Sequence, residues 1–253
     1  MNDALAELKK ENEDLRKALD DSRLSLQSFV YAVSHDLSAP LRALTSFSEI
    51  VKKRYGTALD DRGRSYLDFI QDGGQRAQEM MAGLLRFSRV YSQGGPPEEC
   101  SLEKIVQKTL DKYADKLDAC GTHLSVNPLP VILGDPLQLE QLIGILIDNA
   151  LTYKHPRLPL ELQITATQTD THWQISVEDN GIGVPVECRE RIFQIFKRLH
   201  TDEEFPGLGV GLAVAARITE RHGGDMLVQS SPSGGSIFSF TLSKDGPNAP
   251  FLK

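Results

Sequence analysis

In Ser34-His35-Asp36-Leu37-Ser38-Ala39-Pro40-Leu41-Arg42 a histidine stands where a helical core cannot take it. Val33, Leu37, Leu41 and Leu44 follow the i, i+4, i+8, i+11 spacing of a helix stripe that faces a partner. At about 100° per residue, His35 lies roughly 200° from both Val33 and Leu37, on the solvent side. Asp36 follows it directly, and Pro40 removes a ladder hydrogen bond one turn later, which predicts a local bend. An exposed imidazole beside a carboxylate is a candidate nucleophile. The carboxylate fixes the tautomer and takes up the proton, leaving the other nitrogen free to attack. A solvated surface His-Asp pair uses the same residues, and only the rest of the chain separates the two.

Upstream, no Gly or Pro precedes Pro40. Leu5, Leu8, Asn12, Leu15, Leu19, Ser22, Leu26, Phe29 and Val33 recur at alternating spacings of three and four, a heptad seam with Asn12 at an a position. A polar Asn at a costs stability but fixes register in parallel two-stranded coils, so the pattern predicts a parallel dimer; a solvated single helix with a weak stripe is the other reading. The seam loses phase near Asp36, where the coil should hand over to a differently packed bundle. Downstream, the helix continues through Phe47, Ile50 and Val51 to about Tyr55, and Gly56 ends it. A second helix, from about Asp61 to Tyr91, sets Tyr66, Ile70, Gly73, Ala77, Met80, Leu84 and Phe87 or Ser88 on one face. The two make a hairpin that closes a four-helix bundle as a dimer. Gly94, Gly95, Pro96 and Pro97 then read as a linker.

From Ser101 the pattern is mixed. Ser101 caps a helix running to about Asp118, strands follow near His123–Val126 and Val131–Leu133, and Asp135 with Pro136 opens a helix through Tyr153. Leu160–Thr167 and Trp173–Asp179 read as paired strands. Helices near Glu187–Phe196 and from about Gly209 to His222, with strands near Asp225–Ser230 and Ser236–Leu242, complete an α+β two-layer sandwich.

The 253 residues carry a net charge of -7, which argues against general binding to nucleic acid or anionic membranes. No apolar run reaches the ~20 residues of a bilayer span and no signal peptide opens the chain, so the expected location is the cytoplasm. Cys100, Cys120 and Cys188 are widely spaced and lack a Cys-x-x-Cys, so they read as reduced structural thiols.

Three further strings carry chemistry. Asn149 sits in a helix apolar nearly all round, where its amide needs a partner: a backbone group, or a Mg²⁺ ion that prefers oxygen. Asp179-Asn180-Gly181-Ile182-Gly183 ends a strand, and its glycines let backbone approach a flat ligand while the carboxylate accepts from an exocyclic amine; a hairpin turn has the same composition. Gly207-Leu208-Gly209-Val210-Gly211-Leu212 opens a helix whose free amides can cradle phosphates.

In this order the strings resemble the sensor histidine kinases of two-component systems over nearly the whole chain. The H box is Ser34–Arg42, the N box surrounds Asp148-Asn149-Ala150, the first glycine box is Asp179–Gly183, the F box is Ile192–Leu199 and the second glycine box is Gly207–Leu212. The lid stretch Arg198–Gly207, and His35-Asp36 where many relatives have His-Glu, are most similar to the phytochrome-like branch.

The resemblance implies a coiled-coil signalling helix over residues 1–28 and a dimerisation and phosphotransfer region over 29–93. A linker over 94–99, a catalytic ATP-binding sandwich over 100–244 and a tail over 245–253 follow. It implies His35 as phosphoacceptor with Asp36 as its base and orienter, and Asn149 as Mg²⁺ ligand. Asp179, supported by Gly181 and Gly183, would receive the adenine amine, with Tyr153 near the base. Gly207, Gly209, Gly211 and Leu212 would flank the phosphates of ATP. Phe193 and Phe196 would root the lid or simply pack in the core, and Lys197 and Arg198 either reach the triphosphate or remain solvated. The implied partners are a second copy of the chain, a response-regulator receiver domain and an upstream sensor domain or protein.

Three positions depart from the pattern. Ile145 stands where relatives usually carry a second Asn one turn before the Mg²⁺-binding one, Thr152 replaces a frequent basic residue with Lys154 nearby, and Ala39 replaces the Thr or Asn linked to phosphatase activity. Ala39 implies weak dephosphorylation of a partner. Ile145 keeps open a rival, a catalytically silent dimeric nucleotide-binding scaffold.

Overall fold

The computed structural model describes residues 2–92, 94–201, 204–205 and 207–247. The chain divides into two compact units, Met1–Ser92 and Gln93–Lys253.

The first unit is a helical hairpin, α1 (Asn2–Tyr55) and α2 (Asp61–Ser92). Its turn is held by side chains: Asp60 Oδ1 accepts the Gly63 amide at 2.7 Å, and Arg64 donates to the carbonyls of Gly56 and Leu59 at 2.8 and 2.7 Å. α1 stays helical through Pro40. Ser34, Ser38, Leu41, Thr45 and Ser48 of α1 are buried or half-buried, as are Leu67, Gln71, Gly74, Gln78, Met81, Leu85 and Ser88 of α2. Both sets alternate spacings of three and four. Ser34, Ser38, Thr45, Ser48, Gly74 and Ser88 make much of this seam small, and polar contacts cross it. Ser48 Oγ donates to the Leu67 carbonyl and Gln78 Nε2 to Thr45 Oγ1, each at 3.0 Å. A Cβ on Gly74 would lie 2.5 Å from Thr45 Cγ2, so the glycine lets the helices approach.

The apolar stripe expected to face a partner lies mostly outside that seam, although its Leu41 belongs to it. Leu37, Leu44, Phe47 and Ile50 on α1, and Tyr66, Phe69 and Ile70 on α2, are exposed within one chain. Hydrophobic periodicity marks this stripe of large residues and does not reveal the second one, in which Ser, Thr, Gln and Gly alternate with Leu and Met and the two helices meet. Leu15 of the heptad seam is exposed; the side chains of Leu5, Leu8, Leu19 and Leu26 lie outside the described residues.

The second unit begins with β1 (Glu98–Ser101), α3 (Leu102–Ala119), β2 (His123–Val126), β3 (Val131–Gly134) and α4 (Pro136–Thr152). It continues with β4 (Glu161–Gln168), β5 (His172–Asp179), α5 (Gly211–Arg221), β6 (Met226–Ser230) and β7 (Ser236–Ser243). A five-stranded sheet has the order β2-β4-β5-β7-β6, with β2 and β4 parallel and the other pairs antiparallel. β1 pairs with β3 in a separate ribbon and starts at Glu98, inside the stretch read as linker.

Ser101 Oγ accepts the Lys104 amide at the start of α3, as its sequence position predicts. The sheet shows one apolar face, with Leu162 and Ile164, Ile175 and Val177, and Phe238 and Phe240 alternating inward along their strands. Leu139, Leu142, Ile143, Leu146 and Ile147 of α4, none above 1% exposed, complete the core with Ala213, Ala215 and Ile218 of α5.

The helix expected over Glu187–Phe196 is two separate 3₁₀ turns, Val186–Cys188 and Arg191–Phe193. Phe196, at φ 63°, and Gly209, at φ 67°, both enter the left-handed region, and Gly209 accepts the Phe196 amide at 2.8 Å. That bond ties the segment back across the chain, a long-range constraint invisible to helical periodicity. α5 starts at Gly211, two residues later than expected, because Gly209 cannot be helical with that φ.

Candidate active site

His35 projects from α1 with its side chain 74% exposed, its Nδ1 3.2 Å from Asp36 Oδ1 and its ring stacked on Tyr31 at a centroid distance of 6.3 Å. When the carboxylate holds Nδ1–H, the lone pair lies on Nε2, the nitrogen open to an electrophile.

The second group of residues lies where the C-terminal end of α4 meets the N-terminal end of α5. Asp135 caps α4, its Oδ1 accepting the amides of Leu137 and Gln138 at 3.1 and 3.2 Å. Fourteen residues on, Asn149 is half-buried, and its side-chain amide has no hydrogen-bond partner among the described residues. Tyr153 closes the helix, its carbonyl accepting the Ile182 amide at 3.0 Å. That carbonyl is also why residue 181 is glycine: a Cβ there would lie 2.3 Å from it.

Asp179 is at an inward register position of β5, two residues beyond Val177, and is 5% exposed. Its Oδ1 accepts the amides of Gly181 at 2.8 Å and Ser236 at 3.3 Å, and its Oδ2 has no partner among the described residues. Burial pushes the carboxyl above the ordinary aspartate range, with Glu178 adding to the rise; the two amide donors oppose it. Gly183 has φ 77°, and a Cβ added to it would lie 3.4 Å from the Gly235 carbonyl oxygen.

α5 begins without a side-chain cap, Val210 preceding it, so its first amides are open to an anion. Gly209 is required by φ and by space, since a Cβ would lie 2.6 Å from the Lys197 carbonyl oxygen. Gly207 has φ 153°, Gly211 is exposed and Leu212 half-buried in the first turn. A Cβ on Gly211 would touch Ile145 Cγ2 at 3.4 Å, so α4 and α5 close on each other through an apolar residue one turn before Asn149.

Above these, Tyr153, His200 and Phe205 form an aromatic cluster, with Tyr153–Phe205 and His200–Phe205 centroids 4.9 and 5.0 Å apart. Arg198 turns back onto the lid backbone, donating to the carbonyls of Thr201, at 3.2 Å, and Phe205. Phe193 and Phe196 are half-buried and Lys197 is exposed. Asp202, Glu203 and Pro206 of the lid stretch lie outside the described residues.

The structure thus brings together Asn149, Tyr153, Asp179, Gly181, Gly183, Gly209, Gly211 and Leu212, while His35 and Asp36 belong to the other unit. Sequence reasoning missed Ser236, Gly235 and Asn180. Asn180 Oδ1 accepts the Glu161 amide at 2.9 Å and its Nδ2 donates to the Pro159 carbonyl at 3.0 Å, bracing the segment after α4. The Pro232-Ser233-Gly234-Gly235-Ser236 run was a legible turn signal, but nothing local pointed it at Asp179.

The donor set suits a nucleotide. Asp179 offers a buried acceptor to an amine, α5 offers amides to phosphate, and Asn149 offers an unclaimed oxygen to a hard cation. No cluster of His, Cys, Asp or Glu able to hold a metal alone exists among the described residues, so a Mg²⁺ ion fits here only with Asn149, phosphate and water.

Residues 134–246 match the family model of histidine kinase-, DNA gyrase B- and HSP90-like ATPases, and residues 25–93 match the His Kinase A phospho-acceptor domain. The chain belongs to the two-component sensor histidine kinases. It is 32% identical over 228 residues to the phytochrome-like protein Cph1 of Synechocystis, and 33% identical over 228 residues to cyanobacterial phytochrome A of Nostoc. Each match covers 90% of this chain and 30% of the relative, so the chain spans under a third of those proteins. Among solved structures, full-length ShkA in complex with AMPPNP superimposes with a TM-score of 0.61 over 88% of this chain and 47% of that one; at 24% identity it supports the fold. No helix among the described residues is long and apolar enough to cross a membrane.

Proposed function

We propose that the chain is the catalytic core of a sensor histidine kinase that transfers the γ-phosphoryl group of ATP to His35 and then to an aspartate of a response-regulator receiver domain. The observation that carries this reading is the conjunction of two features. An exposed imidazole has its Nδ1 claimed by Asp36, and a nucleotide seat has an acceptor, an amide donor and a cation ligand each left unpaired.

Adenine is held by Asp179 Oδ2, with Gly181 and Gly183 leaving room for the ring and Tyr153 beside it. Phosphates lie against the first amides of α5, behind Gly207, Gly209, Gly211 and Leu212. A Mg²⁺ ion at Asn149 Oδ1 supplies charge neutralisation when bound. The His35 Nε2 lone pair forms the N–P bond as the bond from phosphorus to the bridging oxygen breaks, and ADP leaves. Asp36 stabilises the Nδ1–H of the resulting ring and can take its proton. Catalysis here is positioning and electrostatics, as phosphoryl transfer requires.

The exposed apolar faces of α1 and α2 support a homodimeric four-helix bundle, with the heptad seam of α1 continuing it as a parallel coil. An upstream sensor domain or protein would act through that coil, and the core would work in the cytoplasm. Ile145, placed against Gly211, favours the silent nucleotide-binding scaffold as the second reading. Calorimetric titration of Mg-ATP into the chain, Asn149→Ala and Asp179→Ala, followed by a phosphoryl chase into a receiver domain, separates the two: a kinase passes label on, a scaffold binds nucleotide and passes none.

A further inference from the structure

Arg221, the last residue of α5, is 0% exposed and ionic. Its NH1 donates to Asp135 Oδ2 at 3.0 Å and to Gln138 Oε1 at 2.6 Å, and its NH2 donates to the Gly95 carbonyl at 2.8 Å. The Gly95 amide in turn donates to the same Asp135 Oδ2 at 2.6 Å. His222 Nε2 accepts the Asp135 amide at 3.0 Å, and burial pushes this imidazole below its ordinary range, toward the neutral form that such acceptance requires. Gly94 passes so near the guanidinium that a Cβ would lie 2.0 Å from Arg221 Cζ. A buried charge is costly unless it is paired and hydrogen-bonded; here NH1 and NH2 are engaged, while Nε is buried with no partner among the described residues.

A Gly-Gly-Pro-Pro run ordinarily reads as free linker. Here both polar backbone groups of Gly95 are bonded to the ion pair of the sandwich. Only Gln93 and Gly94 separate Gly95 from Ser92 at the end of α2.

The placement of the two helices gives this arrangement a consequence. The cap of α4 (Asp135) and the end of α5 (Arg221) meet at one end of an antiparallel pair, while Asn149 and Gly211 lie toward the other. Asp135 and Asn149 are fourteen residues apart, about 21 Å of helix. A ligand bound to Asn149 and to the first amides of α5 would fix the helices at that far end. Fixing one end of a rigid pair restricts the other.

We propose that Gly94 and Gly95 form a latch, locked by Arg221 and Asp135, that couples the chain arriving from α2 to nucleotide binding across the α4/α5 pair: nucleotide tightens the latch, and a closed latch tightens nucleotide. The coupling is reciprocal by linkage. It rests on the ATP reading above, whereas the latch itself does not. Arg221 acts as a positioning residue through Asp135 and Gly95.

The test is amide exchange at Gly95 in the full chain, with and without Mg²⁺ and a non-hydrolysable ATP analogue, beside calorimetric affinity for that analogue. Gly94→Ala drives the chain and the guanidinium apart without deleting either buried charge; Arg221→Met, which strands Asp135, serves only if it folds. The wild-type Gly95 amide exchanges at least about 100-fold more slowly than an unprotected glycine, and the analogue slows it further. Gly94→Ala loses that protection and binds the analogue about tenfold more weakly. Unprotected Gly95 in the nucleotide-free wild type overturns the latch. A protected Gly95 with equal affinity in wild type and Gly94→Ala overturns the coupling. Failure of the wild type to bind the analogue overturns the ATP reading, and the coupling with it, leaving the latch to be judged on Gly95 alone.

Discussion

The backbone amide of Ser236 reaches Asp179 Oδ1 across 3.3 Å, and it can do so only because its neighbour Gly235 has no side chain: a Cβ there would lie 2.2 Å from the Asp179 carbonyl oxygen. The start of β7 therefore aims the acceptor carboxylate at the end of β5. Gly235→Ala is predicted to destabilise the sandwich by about 1–3 kcal/mol, the usual cost of overpacking, and to weaken nucleotide binding about tenfold or more. Thermal unfolding and calorimetric titration check the two effects. An unchanged nucleotide affinity in a folded Gly235→Ala would dissociate the turn from Asp179.

Asp179 also sets a pH dependence. Its carboxyl is raised in the folded state, chiefly by burial, and only the ionised form accepts from an amine with both oxygens. Nucleotide affinity should fall on acidification at a higher pH than an exposed aspartate would give. Stability of the nucleotide-free chain should move the other way. A raised native pKa contributes stability that is present below the unfolded value and lost as pH rises through the folded one. Asp179→Asn should flatten both profiles, and a profile unchanged by that substitution would assign the titration elsewhere.

His222 gives the opposite slope in a different window. Burial depresses it, so the folded state resists protonation that the unfolded chain accepts near pH 6.5. Its contribution to stability is complete above about pH 6.5 and is lost as pH falls through the depressed folded value. The melting temperature should decline on acidification below that point, and a His222→Gln chain, if folded, should lose this component of the slope.

Ile70 is 48% exposed and lies outside the seam between α1 and α2. Ile70→Glu should leave the hairpin folded and helical while shifting sedimentation from dimer to monomer. A monomeric wild type at micromolar concentration would contradict the four-helix reading.

Ile145 presents a methyl group one turn before Asn149 and against Gly211. With one protein oxygen available, nucleotide affinity should depend weakly on Mg²⁺, since the ion retains most of its waters. Ile145→Asn should increase the Mg²⁺ enhancement of ATP affinity several-fold, read by titration with and without the ion.

The sequence made the site visible where chemistry was local. Asn149 was conspicuous as an amide in an apolar helix, Asp179 by its strand-end position before two glycines, and the Asp135-Pro136 start by its capping chemistry. Residues whose roles depend on distant partners were not legible. Ser236 and Gly235 are 57 and 56 positions from Asp179 in sequence, and Arg221 reads as an ordinary basic residue at a helix end until Asp135 is found 3.0 Å away. The bonds made at the Gly-Gly-Pro-Pro run were hidden for the same reason. Its composition describes how freely a chain can bend, and the bonds that restrain Gly95 come from residues 40 and 126 positions further on.

Where the phosphoryl group goes is the most direct measurement. After incubation with γ-labelled ATP and Mg²⁺, the chain is predicted to carry acid-labile, alkali-stable label at His35, and His35→Gln to carry none while binding nucleotide as the wild type does. Label that survives acid, label that persists in His35→Gln, or nucleotide bound without transfer would contradict the assignment of His35 as phosphoacceptor.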